Sequence, residues 1–530
     1  MSKRPFSIIL ILVLLAGLAT QAFVDFDAEK SDSTIAQKIV KHNEVSDNTL
    51  VLWYTDASLE EYIDDTALAY RQESDMDVQA FLVDGVDYLE HINNVSVKDE
   101  GNIPAPDLYI TTHDNLMKAY LAGLAAPIND KEEKVCDNNF PGTALHAVTC
   151  NGKLVAYPLY YETNFFLYNK TYMASIAQGR IETEIDAAEG EAAQQEADEK
   201  KDAEKAENSE ESDDEKSEGS EELTENNEEN TEESFDGDGE PYGDEDSVAD
   251  QEVLDRLANM IPATIDDITT FANNYDASEN IEAVFKWDVT DIFYNYFFVG
   301  NYLEVGGEDG DNNSIFNLYN QQAVEGLQVY QGMYKYFTVE KEDTYDSILQ
   351  QFIDGKLVFT IATTDAISKI QEAQLKGDFD YEYGVATIPN ISSLLQARGL
   401  SVTDAVAING YSEKKDAAND FASRLSYDSA DTLYKKSGKL SCKRDVPYEN
   451  SEINNVMTEY QKSMPLPKMI ETSNFWLQLE IAFSKVWSGD DPETVLRELA
   501  DTMGGQIDEI TYSIPVQESI GAGVQTFFTK

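Results

Sequence analysis

Basic residues are scarce in this sequence. Lys and Arg together number 38 among 530 residues, whereas Asp and Glu number 101, so the formal charge at pH 7 is −63. A chain with this charge is repelled by phosphate backbones and by anionic lipid surfaces. The composition therefore argues against nucleic acids and anionic membrane surfaces as partners.

Cysteine and histidine are also rare, with three and four residues respectively. Three cysteines are too few for a disulfide scaffold. Cys136 and Cys150 are close enough in sequence to close a small loop, which would leave Cys442 as a free thiol, and the sequence does not decide whether they pair. Neither CxxC nor HExxH is present, and the histidines show no ligand spacing, so we expect no metal site and no cofactor.

Long apolar runs are confined to the amino terminus. Lys3 and Arg4 precede an apolar run of about eighteen residues that ends in small residues. This pattern predicts that residues 1–24 are either a signal peptide, cleaved for example after Ala22, or an uncleaved membrane anchor. Basic residues before the run place the rest of the chain outside the cytoplasm, anchored at the cell surface or secreted.

Acidic residues are most concentrated in residues 182–250. The stretch 181–250 contains 31 Asp or Glu and 4 Lys, with few apolar residues. Such a segment cannot bury enough apolar surface to offset the entropy lost on ordering, so we expect it to be disordered. An acidic solvating loop is the simplest interpretation, and a weak calcium-collecting or cell-wall-facing role is the alternative.

The flanking regions alternate between strand-like and helix-like patterns. Residues 49–54 (TLVLWY) and 106–111 (PDLYIT) are short apolar runs typical of buried strands, and helix-like spacing follows each of them. This alternation predicts βαβ units and a mostly parallel sheet. Because 530 residues exceed what one hydrophobic core organises, we expect at least two lobes.

Six stretches, in order along residues 46–510, carry a family resemblance. They are LVLWYTD, PAPDLYITTHDNLMKAYLAGLAAPI, NGKLVAYPLYYETNFFLYNK, IPATIDDI, FIDGKLVFTIATTDAI and ETSNFWLQLEIAFSKVWSG. Together they resemble the bacterial extracytoplasmic solute-binding proteins of ABC importers, in particular the sugar-binding, maltodextrin-binding-protein-like group. The acidic segment falls between the third and fourth stretches, where that family has a short surface connection. This position favours an insertion that leaves the fold intact.

The resemblance implies an α/β, two-lobed periplasmic-binding-protein fold of type II, with a ligand cleft between lobes that hinge strands join. It places lobe 1 in residues 46–158 and 388–435, and lobe 2 in residues 159–387 and 440–520. The acidic insertion would then lie within lobe 2.

The resemblance also indicates where ligand would bind. Glu162 lies among the rings of YPLYYETNFFLYNK, where a carboxylate can accept hydrogen bonds from sugar hydroxyls while rings cover the apolar sugar faces. The expected ligand-binding residues are Asp56, Asp114, Glu162, Tyr296, Asp365 and Trp476. Four of these residues also have a structural alternative. Glu162 could be the acid at the end of a buried strand, Asp56 and Asp114 could be helix N-caps, and Trp476 could be a core residue.

Two departures from the family pattern bear on the ligand. Asp365 stands where maltodextrin binders carry a second stacking tryptophan, and Glu480 stands where they carry a basic residue. Both changes add acid to the expected cleft. The resemblance therefore supports a carbohydrate ligand more than maltodextrin itself.

The implied function is the substrate-binding component of an ABC transporter, which captures a carbohydrate, first of all an oligosaccharide, and delivers it to the transmembrane subunits of the permease. We expect no enzymatic activity, since the usual nucleophile and phosphate-loop signatures are absent from the sequence. We also expect a monomer. Two alternatives stay open. One is a binder of a cationic solute such as a polyamine, and the other is a glycoside hydrolase that uses a carboxylate pair.

Overall fold

The computed structural model describes residues 46–98, 101–180, 245–275, 280–336, 343–469 and 474–513. Its strands are β1 Thr49–Tyr54, β2 Asp77–Leu82, β3 Leu108–Thr112, β4 Thr149–Cys150, β5 Lys153–Leu154, β6 Ala156–Asn169, β7 Ala283–Phe285, β8 Glu304–Val305, β9 Phe316–Asn317, β10 Leu357–Thr363, β11 Tyr383–Ala386, β12 Leu400–Ile408, β13 Leu440–Ser441 and β14 Met464–Pro465. Its helices are Glu60–Glu73, Tyr88–Lys98, Leu116–Leu121, Gly142–Val148, 170–180, Glu245–Met260, Ile265–Asn274, Ile292–Asn295, Gln321–Met333, Tyr345–Ile353, Asp365–Lys376, Lys415–Ser423, Ala430–Ser437, Glu452–Lys462, Phe475–Trp487 and Pro492–Ser513.

The strands of the two lobes follow the order β2-β1-β3-β12-β6-β10-β7, in which β6 is shared by two sheets. Strands β1, β2 and β3 are mutually parallel, and β12 joins them antiparallel to β3. On the other side of β6, strand β10 is antiparallel to β6 and parallel to β7. Helices connect the parallel strands, as the alternating sequence pattern predicts. The prediction of a mostly parallel sheet is wrong, because every strand pair that includes β6 is antiparallel and β12 is also antiparallel to β3.

Strand β6 belongs to two sheets. Its residues 156–163 pair with β12, whereas residues 164–169 pair with β10 and β11. Thirteen of its fourteen residues are buried, the exception being Glu162. A strand that is covered on both faces is expected to be continuously apolar, which explains the dense aromatic sequence. The predicted two-lobed α/β fold is confirmed, with β6 running through both lobes.

One other segment also passes between the sheets, and strand β13 pairs with β6 close to its crossing point. Strand β11 pairs with the second half of β6, and the next strand, β12, pairs with the first half, so the chain changes sheets between residues 387 and 399. Strand β13 then pairs with β6 at Tyr160 and Tyr161. Three segments of chain therefore meet at the centre of β6.

A β-bulge interrupts the pairing of β6 with β12. Asp404 is opposite Tyr160, but the next residue, Ala405, is opposite Pro158, so Leu159 is an extra residue on β6. Proline has no N–H to donate to a neighbouring strand, and bulges are among the few places where a sheet accommodates it. The bulge lies within lobe 1, close to the point where β6 passes into lobe 2.

Each lobe has its own buried aromatic residues. In lobe 1, Trp53 and Tyr109 are fully buried beneath the helices that cover the parallel strands. In lobe 2, Trp287 and Tyr330 take the same role, and the Trp487 ring packs against both of them. Burial of such rings adds apolar contact area that stabilises each lobe.

The acidic segment ends earlier than the sequence predicts. Residues 245–250 belong to the helix Glu245–Met260, so the boundary expected at 250 is wrong. Apolar residues later in this helix explain the difference, since Leu257 packs into the core of lobe 2 and the helical pattern extends back from it. Residues 181–244 lie outside the described part of the chain.

The three cysteines are free thiols, so the pairing of Cys136 with Cys150 considered above is wrong. Cys150 packs into the core of lobe 1 at the end of β4. Cys136 lies in a turn, where the amide of Asn139 approaches its Sγ at 3.6 Å. The two side chains therefore take part in different local structures.

Among the described residues, no helix is both long enough and apolar enough to cross a membrane. The apolar run predicted to be a signal peptide or anchor, within residues 1–24, lies outside them.

We expect residues 182–244 to be dispensable for folding. Their replacement by a flexible Gly/Ser linker should leave the melting temperature nearly unchanged, because the composition of the segment contributes little apolar surface to a core. A matched deletion that extends to residue 257 also removes Leu257, which is 3% exposed, and should lower the melting temperature by several degrees. Thermal unfolding of the two variants checks this, and equal destabilisation by both deletions would contradict the insertion interpretation.

Candidate ligand-binding cleft

The carboxyl ends of the parallel strands in the two lobes point toward each other along β6. Thr112, the last residue of β3, is aligned through Asp404 of β12 with Tyr160 of β6. Thr363, the last residue of β10, is aligned with Asn164 of β6. Four residues of extended strand span about 13 Å, so the two edges are separated by this distance at the floor of the cleft. Ligands of open α/β sheets bind at such edges.

Glu162 lies midway between the two edges. It is the one residue of β6 that is not buried, and 45% of its side chain is exposed. Burial of its surroundings raises the pKa of Glu162, the Lys439 ammonium group lowers it, and the charges of Asp365 and Asp56 raise it again. The structure therefore brings Asp56, Glu162 and Asp365, from lobe 1, the crossing strand and lobe 2, within electrostatic reach of one another.

Asp56 makes two local interactions. Its carboxylate accepts a hydrogen bond from the Ser58 N–H at 2.9 Å, as the N-cap of the short 3₁₀-helix Ala57–Leu59. The other oxygen forms an ion pair with Lys439 at 2.8 Å. Although burial opposes it, these hydrogen bonds hold the pKa of Asp56 below its ordinary value. The N-cap alternative is thus observed together with a position at the cleft.

Asp365 is the lobe 2 counterpart of Asp56, two residues beyond the end of β10. Its carboxylate accepts hydrogen bonds from the hydroxyls of Tyr345, at 2.6 Å, and Thr363, and pairs with Lys369 at 2.7 Å. Burial alone would raise the pKa of Asp365, but these donors lower it. Asp365 is consequently held as an anion by its own lobe.

Two stacked tyrosines lie beside Asp365. The rings of Tyr294 and Tyr345 are 5.0 Å apart and inclined by 20°. The Lys369 ammonium lies 5.2 Å from the centre of the Tyr345 ring, and the Tyr345 hydroxyl donates to Asp365, so the ring supports the charged groups at the lobe 2 edge. Sequence reasoning missed this pair because the two residues are far apart in the chain and only the folded lobe joins them.

Asp114 follows β3 at the same edge as Asp56. Its carboxylate accepts a hydrogen bond from the Thr112 hydroxyl at 2.5 Å, and the Asn115 amide donates to the same hydroxyl at 3.0 Å. Asp114 is partly buried. The contacts seen among the described residues do not join it to the Asp56–Glu162–Asp365 group.

The neighbouring His113 anchors this turn. Its Nδ1 accepts a hydrogen bond from the Thr403 N–H at 3.0 Å, so its Nε2 carries the proton and donates to the Leu466 carbonyl at 3.0 Å. Burial, with a smaller effect of the Lys468 charge, lowers the pKa of His113 to about 4. The imidazole is therefore neutral and held in one tautomer.

Trp476 and Tyr296 are in contact with each other. Their ring centroids are 5.7 Å apart in an edge-to-face arrangement. Trp476 is partly buried, whereas Tyr296 is only 2% exposed, so the structure places Tyr296 behind Trp476. One turn beyond Trp476, the charges of Asp291 and Asp288 add to burial in raising the pKa of Glu480. Asp288 in turn accepts a hydrogen bond from the Tyr345 N–H at the lobe 2 edge.

Sequence reasoning missed Asp404. This residue lies on β12 opposite Tyr160, where its side chain is only partly accessible. Burial and the nearby Glu162 charge raise the pKa of Asp404 to about 7, against a hydrogen bond from Tyr160 and the Lys439 charge. Its signal in the sequence was a single acid in the otherwise uncharged strand LSVTDAVAI.

Lys439 was also missed. It precedes β13 and pairs with Asp56 at 2.8 Å, approaches Glu162 at 3.8 Å and lies 5.2 Å from the centre of the Tyr160 ring. Burial lowers the pKa of Lys439, but the hydrogen bond to Asp56 and the surrounding carboxylates raise it overall. A lysine between two helix-like segments carries no distinguishing pattern, so only the fold identifies it.

Comparison with protein families places this geometry in a known context. The sequence profile described as bacterial extracellular solute-binding protein matches residues 174–447, which is more than half of the chain. A comparison with curated proteins finds no match.

Solved structures share the overall fold. The extracellular solute-binding protein from Staphylococcus aureus, in complex with maltose, aligns with a TM-score of 0.62 and 18% identity over 88% of this chain and 99% of that chain. A cyclo/maltodextrin-binding protein complexed with maltotetraose gives a TM-score of 0.61 and 18% identity over 88% and 98% of the two chains. The maltose-binding periplasmic protein from Listeria monocytogenes, in complex with maltose, gives 0.59 and 18% over 88% and 100%.

The substitution Asp404→Asn should change how stability depends on pH. Because folding raises the pKa of Asp404 to about 7, the folded state binds more protons than the unfolded state between about pH 4 and pH 7. Its favourable contribution is complete below this window and is lost as the pH rises through it. Asparagine is neutral throughout, so the melting temperature of the variant relative to wild type should increase from pH 5 to pH 8.

Thermal unfolding between pH 5 and pH 8 measures this effect. Glu459→Gln is a positive control, since burial raises the pKa of Glu459 to about 7 as well. Asp431→Asn is a negative control at an exposed acid. A constant difference between Asp404→Asn and wild type over this range would contradict the assignment.

Proposed function

Because this chain belongs to the bacterial extracellular solute-binding proteins, we propose that it is the substrate-binding component of an ABC importer. It captures a carbohydrate in the cleft between its lobes, and an oligosaccharide is the preferred candidate. Hinge motion about β6 and the segment between residues 387 and 399 closes the lobes over the ligand, and the closed form delivers it to the transmembrane subunits of the permease. It binds its ligand without chemical conversion.

The observation that carries this proposal is the position of Glu162. Its half-exposed carboxylate lies on the crossing strand, midway across an opening of about 13 Å between two strand edges. An opening of this width admits one or two sugar rings in cross-section. A charged acceptor at its centre forms stronger hydrogen bonds with hydroxyl groups than a neutral acceptor does.

Aromatic rings on lobe 2 support a carbohydrate ligand. Trp476 is partly exposed, and the Tyr345 hydroxyl lies beside Asp365. Flat rings cover the apolar C–H faces of sugars, while carboxylates accept hydrogen bonds from sugar hydroxyls. The ligands named for the structures of similar fold, maltose and maltotetraose, agree with this class.

A cationic solute is the second candidate, because Asp56, Glu162, Asp365 and Asp404 are all acids at the cleft. Lys439 and Lys369 offset part of this charge. A glycoside hydrolase would need a pair of carboxylates across the scissile bond, one of them with a raised pKa. Glu162 and Asp404 are neighbouring carboxylates whose pKa values are raised, which meets part of this requirement. Ligand binding and hydrolysis therefore have to be measured together.

The family is extracellular, which agrees with a location outside the cytoplasm. Attachment of the protein to the cell surface through residues 1–24, and a monomeric state, remain part of the proposal.

A thermal-shift screen tests the proposed function. Neutral oligosaccharides and polyamines are added separately to the purified protein, and release of reducing sugar is assayed in parallel. A ligand at one hundred times its Kd stabilises the folded state by about 2.7 kcal/mol, which is easily detected. Stabilisation by a neutral oligosaccharide without hydrolysis is expected. Stabilisation by polyamines alone, or turnover of the sugar, would overturn the carbohydrate-binding proposal.

The substitution Trp476→Ala should weaken binding of the oligosaccharide found in the screen by more than about ten-fold, or about 1.4 kcal/mol, through loss of an aromatic contact. The matched control is Trp487→Ala on the same helix, since the Trp487 ring packs against Trp287 and Tyr330 in the lobe 2 core. The control should lower the melting temperature and leave the affinity unchanged. Isothermal titration measures the affinities, and a stability loss without an affinity loss in Trp476→Ala would make this residue structural.

The substitution Glu162→Gln should weaken binding by roughly five-fold or more, because a neutral amide oxygen replaces a charged acceptor. The fold should remain intact, since removal of this charge also relieves repulsion from Asp365 and Asp56. Glu282→Gln, at an exposed carboxylate paired with Lys356, serves as the control. Equal affinities for Glu162→Gln, the control and wild type would place the ligand away from the crossing strand.

A further inference from the structure

We propose that Lys439 determines the charge class of ligand that the cleft accepts. Its ammonium group occupies the position between the Asp56 and Glu162 carboxylates that a ligand cation would take. The cleft therefore accepts uncharged polyhydroxylated solutes and rejects solutes that carry an ammonium group. This inference rests on the proposed ligand-binding role of the cleft and specifies it further.

The backbone places Lys439 at the crossing. The helix Ala430–Ser437 ends at Gly438, whose φ of +72° is in the left-handed region that favours glycine. Strand β13 follows at once, with Leu440 opposite Tyr161 of β6. In an antiparallel pair, the residue before Leu440 faces the residue after Tyr161, so Lys439 lies across from Glu162.

The groups around the Lys439 ammonium are those that bind organic cations. Asp56 is 2.8 Å away, Glu162 is 3.8 Å away, and the Tyr160 ring centre is 5.2 Å away. Charge-assisted hydrogen bonds and an aromatic face within about 6 Å are the usual elements of an ammonium-binding site. The side chain is 23% exposed, so this site is filled by the protein itself at the border of the cleft.

Occupation by Lys439 has opposite consequences for the two ligand classes. A ligand ammonium group would either approach Lys439, at a cost in like-charge repulsion, or displace it from its partners. A sugar hydroxyl avoids both costs, because it can accept a hydrogen bond from Lys439 and donate one to Glu162. The acidic residues of the cleft therefore do not by themselves make it a site for polyamines.

Lys443, four residues later, is a matched control. It pairs with Asp431 at 3.2 Å and lies 4.7 Å from the centre of the Tyr427 ring. The two lysines thus lie in the same chain segment, and each pairs with its own aspartate and its own tyrosine ring. They differ in that Lys443 has no contact with Glu162 or Asp56 among the described residues.

The test measures binding of spermidine and of maltotriose to the full-length protein by isothermal titration at pH 8 and moderate salt. Four forms are compared: wild type, Lys439→Gln, Lys439→Arg and Lys443→Gln. Spermidine should bind Lys439→Gln at least ten-fold more tightly than the other three forms. The double substitution Lys439→Gln with Glu162→Gln should lose this gain, which separates binding at the cleft from binding to acidic residues elsewhere.

Several outcomes would overturn the proposal. One is tight binding of spermidine to wild type that maltotriose competes away or that Glu162→Gln abolishes. Another is a Lys439→Gln variant that keeps the wild-type melting temperature but gains no affinity for spermidine. A loss of maltotriose binding without such a gain would make Lys439 a ligand-contacting donor. If Lys439→Gln does not fold, Lys439→Met retains the apolar stem of the side chain and takes its place.

The two proposals fail in different ways. If wild type binds no neutral oligosaccharide but Lys439→Gln still gains affinity for spermidine, the carbohydrate function is wrong and the role of Lys439 stands. If wild type binds an oligosaccharide and Lys439→Gln gains no affinity for spermidine, the carbohydrate function stands and the role proposed for Lys439 is wrong.

Discussion

The structure depends on the pairing of one strand, β6, with two sheets at once. Residues 156–163, except Leu159 in the bulge, pair with β12, and residues 164–169 pair with β10, β11 or both. The backbone N–H and C=O groups of a buried strand need hydrogen-bond partners along the whole strand. Each lobe supplies partners for one half of β6, so separation of the lobes would leave β6 attached to both of them. The lobes are therefore joined by a continuous element of the core. The opening between them must lie where the partner strands of each sheet end, which is where Glu162 is found.

A concentration of acids at this opening raises an electrostatic problem that the chain solves locally. Asp56 is held by Lys439 and by a backbone N–H, and Asp365 is held by Lys369 and two hydroxyls. Asp404 lacks a comparable set of donors, and its raised pKa reflects the unfavourable environment. Glu162 lies between these groups with the most exposed carboxylate. It is thus the acid whose hydrogen-bonding capacity remains most available to a ligand.

The fold could be predicted because its signals are local or sequential. Apolar runs for β1 and β3, helix-like spacing after them and the order of six stretches all survive in the linear sequence. Glu162 was predicted because it is an acid inside an aromatic strand. The structural alternative for that stretch, a buried strand with an acid at its end, is also correct in part. Strand β6 is buried, but the acid lies where the strand crosses between the lobes and not at its end.

The rest of the site depends on contacts between distant segments. Lys439 and Asp56 are 383 positions apart in the chain of 530 residues, and the Tyr294–Tyr345 stack joins two segments of lobe 2. Tyr296 was expected at the cleft, but its position behind Trp476 follows from packing that no periodicity reveals. The proposed pair Cys136–Cys150 had suitable spacing but different local structures. Spacing along the chain is thus informative for elements and weak for the side chains that meet between them.

The bulge at Leu159 also limits how this chain can diverge. On one side of Glu162, the register of β6 is set by the bulge that accommodates Pro158, and on the other side it is set by pairing with β10. An insertion or deletion of one residue between these two points would turn the side chains of one lobe's half to the wrong face. The chain carries a long acidic stretch between residues 180 and 245. Changes in length can therefore accumulate elsewhere in the sequence, whereas the short path between Pro158 and Asn164 can diverge only by substitution.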